Sequence, residues 1–232
     1  MFILITGSRK GIGKFISEKF LSRGHTVIGC SRGNSEINHK NYDHFICDVT
    51  EESSVVKMVR DIGKKYGRID ALINNAGIAS MNHILSTPTS TLKKILHTNV
   101  IGSILLSREV SKLMIRKKTK GRIINFTTVA SALSLEGEAI YASSKAAVQK
   151  FTQIAAKEFA PFGITVNCIG PNPIKTDLIK AVPNDKIRTL LQSQAIKRLG
   201  NENDVLNIVD FLISQSSNFI TAQTIYLGGV HD

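Results

Sequence analysis

The chain has 232 residues, with 30 lysines and arginines against 18 aspartates and glutamates and a formal charge of +12. That length holds one α/β domain with a sizeable core, and 6% aromatic residues without tryptophan supply no stacking platform for single-stranded nucleic acid. Three scattered cysteines (Cys30, Cys47, Cys168) are too few for a disulfide framework or a metal site. No apolar run reaches the roughly twenty residues of a membrane helix, and a strand beginning at Phe2 leaves no room for a secretory signal. A cytoplasmic location is therefore expected, with neither nucleic acid nor membrane as partner.

Phe2 to Ile5 is an unbroken apolar run, the pattern of a parallel strand buried on both faces. Gly7, Gly11 and Gly13 interrupt it, and Ile12, Phe15, Ile16 and Phe20 resume at helical spacing. A strand passing through a glycine-rich turn into a helix collects backbone N–H groups and a positive helix end at one point. That arrangement binds phosphate or pyrophosphate, although the glycines alone would also suit a tight strand–helix turn. The second strand is expected at His25–Ser31. An acid ending that strand would take the ribose 2′-hydroxyl of a dinucleotide. Here Ser31 and Arg32 stand instead, with Lys10 before the second glycine, which suits a 2′-phosphate.

The polar stretch Gly33–Asn41 is too short for a full helix. Further strands are expected at Tyr42–Cys47, Arg68–Ile73, Arg122–Thr127, Gly163–Ile169 and Thr224–Leu227, and helices at Glu51–Tyr66, Thr91–Lys117, Ala142–Ala160 and Asp204–Ser214. Asp48 ends the third strand, where it could cap the next helix. The basic cluster from Arg116 to Arg122 falls at a helix end and complements the helix dipole. Tyr141 and Lys145, at i and i+4, project from one helix face. A free tyrosine has a pKa near 10 and is a poor proton donor at neutral pH. A nearby ammonium stabilises the phenolate and lowers that pKa, which suits protonation of a carbonyl oxygen.

Thr6-Gly-x-x-x-Gly-x-Gly13, Asn74-Asn-Ala-Gly77 and Tyr141-x-x-x-Lys145 together resemble the short-chain dehydrogenase/reductase family from Thr6 to Gly229, most closely its 3-oxoacyl-[acyl-carrier-protein] reductase type. The resemblance implies a Rossmann-like, doubly wound parallel sheet with helices on both faces, in a single domain spanning residues 1–232. It implies NADP(H) bound at Gly7, Ser8, Arg9, Lys10, Gly11, Ile12 and Gly13, with Ser31 and Arg32 at the 2′-phosphate. Asp48, Val49, Asn75, Ala76 and Gly77 would meet the adenosine. Tyr141 and Lys145 would meet the nicotinamide ribose, and Pro171, Ile174 and Thr176 the carboxamide.

The catalytic set implied is Asn99, Thr128, Tyr141 and Lys145, with Asn99 holding a relay water. Thr128 stands where the family has serine, and Ser131 is the alternative hydroxyl beside the substrate. Pro171-Asn172 replaces the family's Pro-Gly, and asparagine tolerates the left-handed backbone such a turn would use. Residues 177–199 read as a substrate lid. A homotetramer is implied, with a dimer as the alternative. For substrate, a 3-oxoacyl group on an acidic carrier protein stands first. Phe162 occupies the place of the carrier-gripping arginine, which Lys117, Lys118 and Lys120 could replace. A sugar, polyol or other small ketone stays open, as does a catalytically silent NADP(H)-binding protein.

Overall fold

The computed structural model describes residues 1–174 and 183–231. Seven strands form one sheet in the order β3-β2-β1-β4-β5-β6-β7, with every neighbouring pair parallel. They are β1 (Phe2–Thr6), β2 (Thr26–Ser31), β3 (Tyr42–Ile46), β4 (Ala71–Asn74), β5 (Arg122–Phe126), β6 (Thr165–Gly170) and β7 (Thr224–Tyr226). The order reverses between β1 and β4. In an open α/β sheet, ligands bind at the carboxyl ends of the strands at such a switch point.

Alternation along each strand divides the apolar residues between two cores. Leu4, Ile28, Leu72 and Ile123 face one side, packed under α2 (Glu52–Tyr66), α4 (Gly102–Arg116) and α6 (Ala139–Phe159). Ile3, Ile5, Ile73 and Ile124 face the other, under α1 (Gly11–Ser22) and α8 (Glu202–Ile213). An apolar run without polar alternation is what a strand covered on both faces requires. The doubly wound architecture expected from the sequence is the one found.

Three expectations change. The helix anticipated over Thr91–Lys117 is α3 (Thr89–Leu96), a π-helical turn (His97–Ile101) and then α4. Pairing of β4 begins at Ala71 rather than Arg68; just before it the Asp70 carboxylate accepts Phe2 N–H and Arg68 Nε–H, each at 2.7 Å, while its backbone N–H donates to Phe2 O at 2.8 Å. A short helix α5 (Val129–Leu133) also follows β5. Gly33–Asn41 carries no helix, as expected. Residues 175–182, and with them Thr176 and the front of the anticipated lid, lie outside the described residues; behind them is α7 (Asn184–Ser193).

Candidate active site

The glycine-rich turn is locked to the end of β4. Gly7 and Gly11 adopt φ of +68° and +56°, left-handed values that disfavour any side chain. At Gly13 the constraint is space, since an added Cβ would lie 2.5 Å from both Asn75 Nδ2 and Gly7 O. Asn75 Nδ2 donates to Thr6 O at 2.9 Å and Ala76 N to Thr6 Oγ1 at 2.8 Å. Helix α1 starts here without a side-chain cap and without an acid in its first turn. Its N–H groups and positive end therefore suit an external anion. The turn, its glycines and this helix end fit a dinucleotide pyrophosphate.

Ser31 ends β2 at the carboxyl ends of the strands, Arg32 follows it, and Arg9 reaches Gly33 in the loop beyond. Its guanidinium lies 3.5 Å from where a Cβ on Gly33 would sit. The irregular loop after β2 is pinned from below by side chains not anticipated from the sequence. His44 Nε2 lies 2.9 Å from Gly33 O and 3.1 Å from Ser31 Oγ, while Tyr42 Oη lies 2.9 Å from His44 Nδ1 and 3.1 Å from Ser8 Oγ. A Cβ on Gly29 would overlap both Tyr42 and Ser8. A glycine inside a strand marks such a close approach, and that was the available signal. Asp48 does not cap α2. Its Oδ1 accepts Thr50 N–H at 3.0 Å, and Glu51 is the residue at the helix cap. Val49 is buried beneath Gly102 at the start of α4.

A cavity of about 230 Å³ runs from Ile12 and Asn75, past Pro171 and Ile174, to Leu190 of α7. Thr128, Tyr141 and Lys145 lie on its wall. Thr128 caps α5, accepting Ala130 N–H at 3.2 Å, and its hydroxyl acts to lower the pKa of Tyr141 on the same wall. Ser131 does not reach the cavity. Its Oγ donates to Thr128 O at 2.7 Å and lies 3.2 Å from Thr127 Oγ1. Of the two hydroxyls anticipated beside the substrate, Thr128 is the one that lines this cavity.

Lys145 is buried and donates from Nζ to Phe126 O at 2.9 Å; burial brings its pKa down to about 8. Tyr141 is pushed up to about 12, first by burial and then by the charge of Glu138, against the hydrogen bond from Thr128. The anticipated lowering of Tyr141 by Lys145 is therefore absent from this cavity, because the ammonium is held at the end of β5. Glu138, also on the cavity wall, is 9% exposed, and burial raises its carboxyl to about 6. It was missed in the sequence, although three residues before Tyr141 on one helix is a readable spacing.

Asn99 sits in the π-helical turn, fully buried. Its Oδ1 accepts Ile78 N–H, and its Nδ2 donates to Ile78 O, both at 2.9 Å, and to Ser144 Oγ at 3.0 Å. The side chain is thus fully engaged in fixing the loop after β4. Gly77 faces both Asn99 Oδ1 and Lys145 Nζ, each 3.3 Å from where its Cβ would be.

Asn172 does not use the left-handed backbone that made it acceptable after Pro171. Its buried amide instead fills the space that a side chain at Gly200 would need. The basic cluster lies elsewhere. Arg122 opens β5, and Lys120 lies over Gly163, beside Phe162, at the amino ends of the strands. A strand of five residues spans about 17 Å, so this cluster and the cavity occupy opposite edges of the sheet.

Residues 7–231 match the family model described as enoyl-(acyl carrier protein) reductase. The chain belongs to the short-chain dehydrogenase/reductase family. It is 32% identical to 3-oxoacyl-[acyl-carrier-protein] reductase FabG of Salmonella typhimurium, over 97% of this chain and 95% of that protein. Among solved structures, ElxO with NADP bound is 31% identical with a TM-score of 0.88, covering 97% of this chain and 96% of that one. 4-Hydroxyisoleucine dehydrogenase complexed with NADH is 28% identical with a TM-score of 0.91, covering 98% and 97%. Family membership makes the protein an oxidoreductase by descent. No helix among the described residues is long and apolar enough to cross a membrane.

Proposed function

We propose that this short-chain dehydrogenase/reductase reduces a ketone to a secondary alcohol with NADPH. The observation that carries the reading is that Thr128, Tyr141 and Lys145 share the wall of one cavity that continues to the glycine-rich turn. When bound, NADPH supplies the hydride. Thr128 donates a hydrogen bond to the carbonyl oxygen as charge develops there. Tyr141 transfers its phenolic proton to that oxygen. Lys145, held at the end of β5, binds the nicotinamide ribose. Asn99 is a positioning residue that fixes the Ile78 backbone beside the cavity and supports a proton relay to solvent.

The preference for NADPH rests on the 2′-phosphate. Ser31 ends β2 where a carboxylate would repel it, and Arg32, Arg9 and Lys10 provide cations. Bound ElxO carries NADP and bound 4-hydroxyisoleucine dehydrogenase carries NADH, so the likeness alone supports a nicotinamide cofactor of either kind.

Two substrate classes fit this chemistry. The FabG relative favours a 3-oxoacyl thioester on an acyl-carrier protein. Phe162, half-exposed, and a carboxyl on the cavity wall favour a small polar ketone such as a keto-sugar. A cytoplasmic homotetramer, or a dimer, completes the reading. Screening NADPH oxidation against acetoacetyl thioesters and a panel of small ketones and keto-sugars tests it. Turnover of one class supports the reading. Tight NADPH binding with no turnover across the panel would favour a silent binding protein.

A further inference from the structure

Glu138 stands at the N-terminus of α6 and does none of the ordinary work of an acid there. Its side chain caps no backbone N–H, although it occupies the cap position. Among the described residues Oε2 is sealed from solvent and has no hydrogen-bond partner. Of the two lysines on the same wall, Lys186 is paired with Glu136 at 3.2 Å on the exposed rim and Lys145 donates to Phe126 O at 2.9 Å. Much of the surrounding wall is apolar, formed by Ile78, Met81, Val129, Leu135, Ile187 and Leu190.

A buried carboxyl without a donor is costly. Its raised protonation point shows the same desolvation. The chain directs it there through a constrained loop. Ser134 and Gly137 both adopt left-handed backbone, with φ of +49° and +79°. Asn82 N–H then ties the loop to the opposite wall by donating to Gly137 O at 2.9 Å.

We propose that Glu138 is a specificity residue that accepts a hydrogen bond from a hydroxyl on the carbon beside the reacting carbonyl, so that the cavity selects hydroxy-ketones. This inference rests on the ketone-reductase reading and names its substrate class. Tyr141 and Thr128 present donors to the carbonyl oxygen, and Glu138, one helical turn before Tyr141, presents an acceptor on the same wall. A hydroxy-ketone offers the matching pair, an acceptor at the carbonyl and a donor next to it. A 3-oxoacyl thioester has a methylene beside the reacting carbonyl and an acceptor oxygen one carbon further on, so it offers the carboxylate no donor. A site built to bond a substrate hydroxyl discriminates strongly against the analogue lacking it, because its own polar group is then left unpaired.

Hydroxyacetone and butanone test this, since they differ by a hydroxyl in place of a methyl. The measured quantity is the ratio of kcat/KM for hydroxyacetone to that for butanone, with NADPH, in the wild type, Glu138→Leu and Glu138→Gln. The intrinsic reactivity of each ketone and any change in Tyr141 acidity cancel when ratios are compared between variants. Glu138→Leu should lower the ratio by about tenfold or more, through a higher KM for hydroxyacetone. Glu138→Gln, which keeps an acceptor oxygen, should retain part of it. A ratio unchanged in Glu138→Leu, or equal losses on both ketones in both variants, overturns the proposal and leaves the ketone-reductase reading standing. A wild type that turns over neither ketone, but reduces an acetoacetyl thioester, refutes the proposal alone. No turnover of any carbonyl removes both.

Discussion

Glu138 and Tyr141 work against each other across the first turn of α6. The charge of Glu138 is the second cause, after burial, that holds the Tyr141 hydroxyl at about 12. The carboxyl is itself displaced upward to about 6 by burial. Above that value it is ionised and opposes the phenolate; below it, the opposition fades. Alcohol oxidation needs the phenolate as base, whereas ketone reduction starts from the protonated tyrosine. The pair therefore keeps Tyr141 in the protonated form from which reduction starts at neutral pH. Glu138→Gln should shift the alkaline limb of the oxidation profile to lower pH, measured as kcat/KM against pH. An unshifted limb would show that the two groups do not couple.

The same carboxyl affects stability. Its folded pKa lies above its unfolded value, so the folded state binds the extra proton, and stability falls as pH rises between about 4.5 and 6. The penalty above that window is about 2 kcal/mol. Glu138→Gln should raise the melting temperature at about pH 8 and leave it unchanged at about pH 4. Thermal unfolding at the two pH values checks this. A gain at low pH only would contradict the sign.

Thr128 lines the cavity, whereas Ser131 is not among its lining residues. Thr128→Ala should lose about a hundredfold or more in kcat, the usual loss for a missing oxyanion donor. Thr128→Ser should stay within about tenfold, because it keeps the O–H. Ser131→Ala should be mild, since that hydroxyl is spent on Thr128 O and Thr127. Steady-state kinetics decides it, and a crippled Ser131→Ala would reverse the assignment.

NADPH should bind more tightly than NADH, and Arg32→Asp should narrow or invert that preference. His44→Ala should weaken NADPH binding more than NADH binding, because it frees the loop that presents Arg32 from its anchors at Gly33 and Ser31. Fluorescence titration of both cofactors reads the effect. Equal affinities in the wild type would contradict the 2′-phosphate reading.

Much of this was legible in the sequence because the informative contacts are local. The apolar run before Gly7 and the helical spacing after Gly13 determine β1, the turn and α1 within one short stretch. Tyr141 and Lys145 are neighbours by helix geometry alone. Apart from Glu138, the residues that sequence reasoning missed act across long separations. Tyr42 and His44 reach back to Ser8 and Ser31 from the next strand, and nothing in their own neighbourhood indicates it. The π-helical turn at Asn99 adds a single backbone residue to a helix whose apolar spacing continues through it. Ser131 could not be separated from Thr128 by spacing, because the direction of each hydroxyl depends on α5, a five-residue helix.

The central claim is that Thr128, Tyr141 and Lys145 form a working carbonyl-reducing site, and one measurement addresses it most directly. NADPH oxidation should be followed with hydroxyacetone, and with an acetoacetyl thioester, for the wild type and Tyr141→Phe, alongside NADPH binding to both proteins. The account predicts turnover by the wild type, its loss in Tyr141→Phe, and nearly equal NADPH affinity in the two. Undiminished turnover in Tyr141→Phe, or tight NADPH binding by a wild type that reduces no carbonyl, would contradict it.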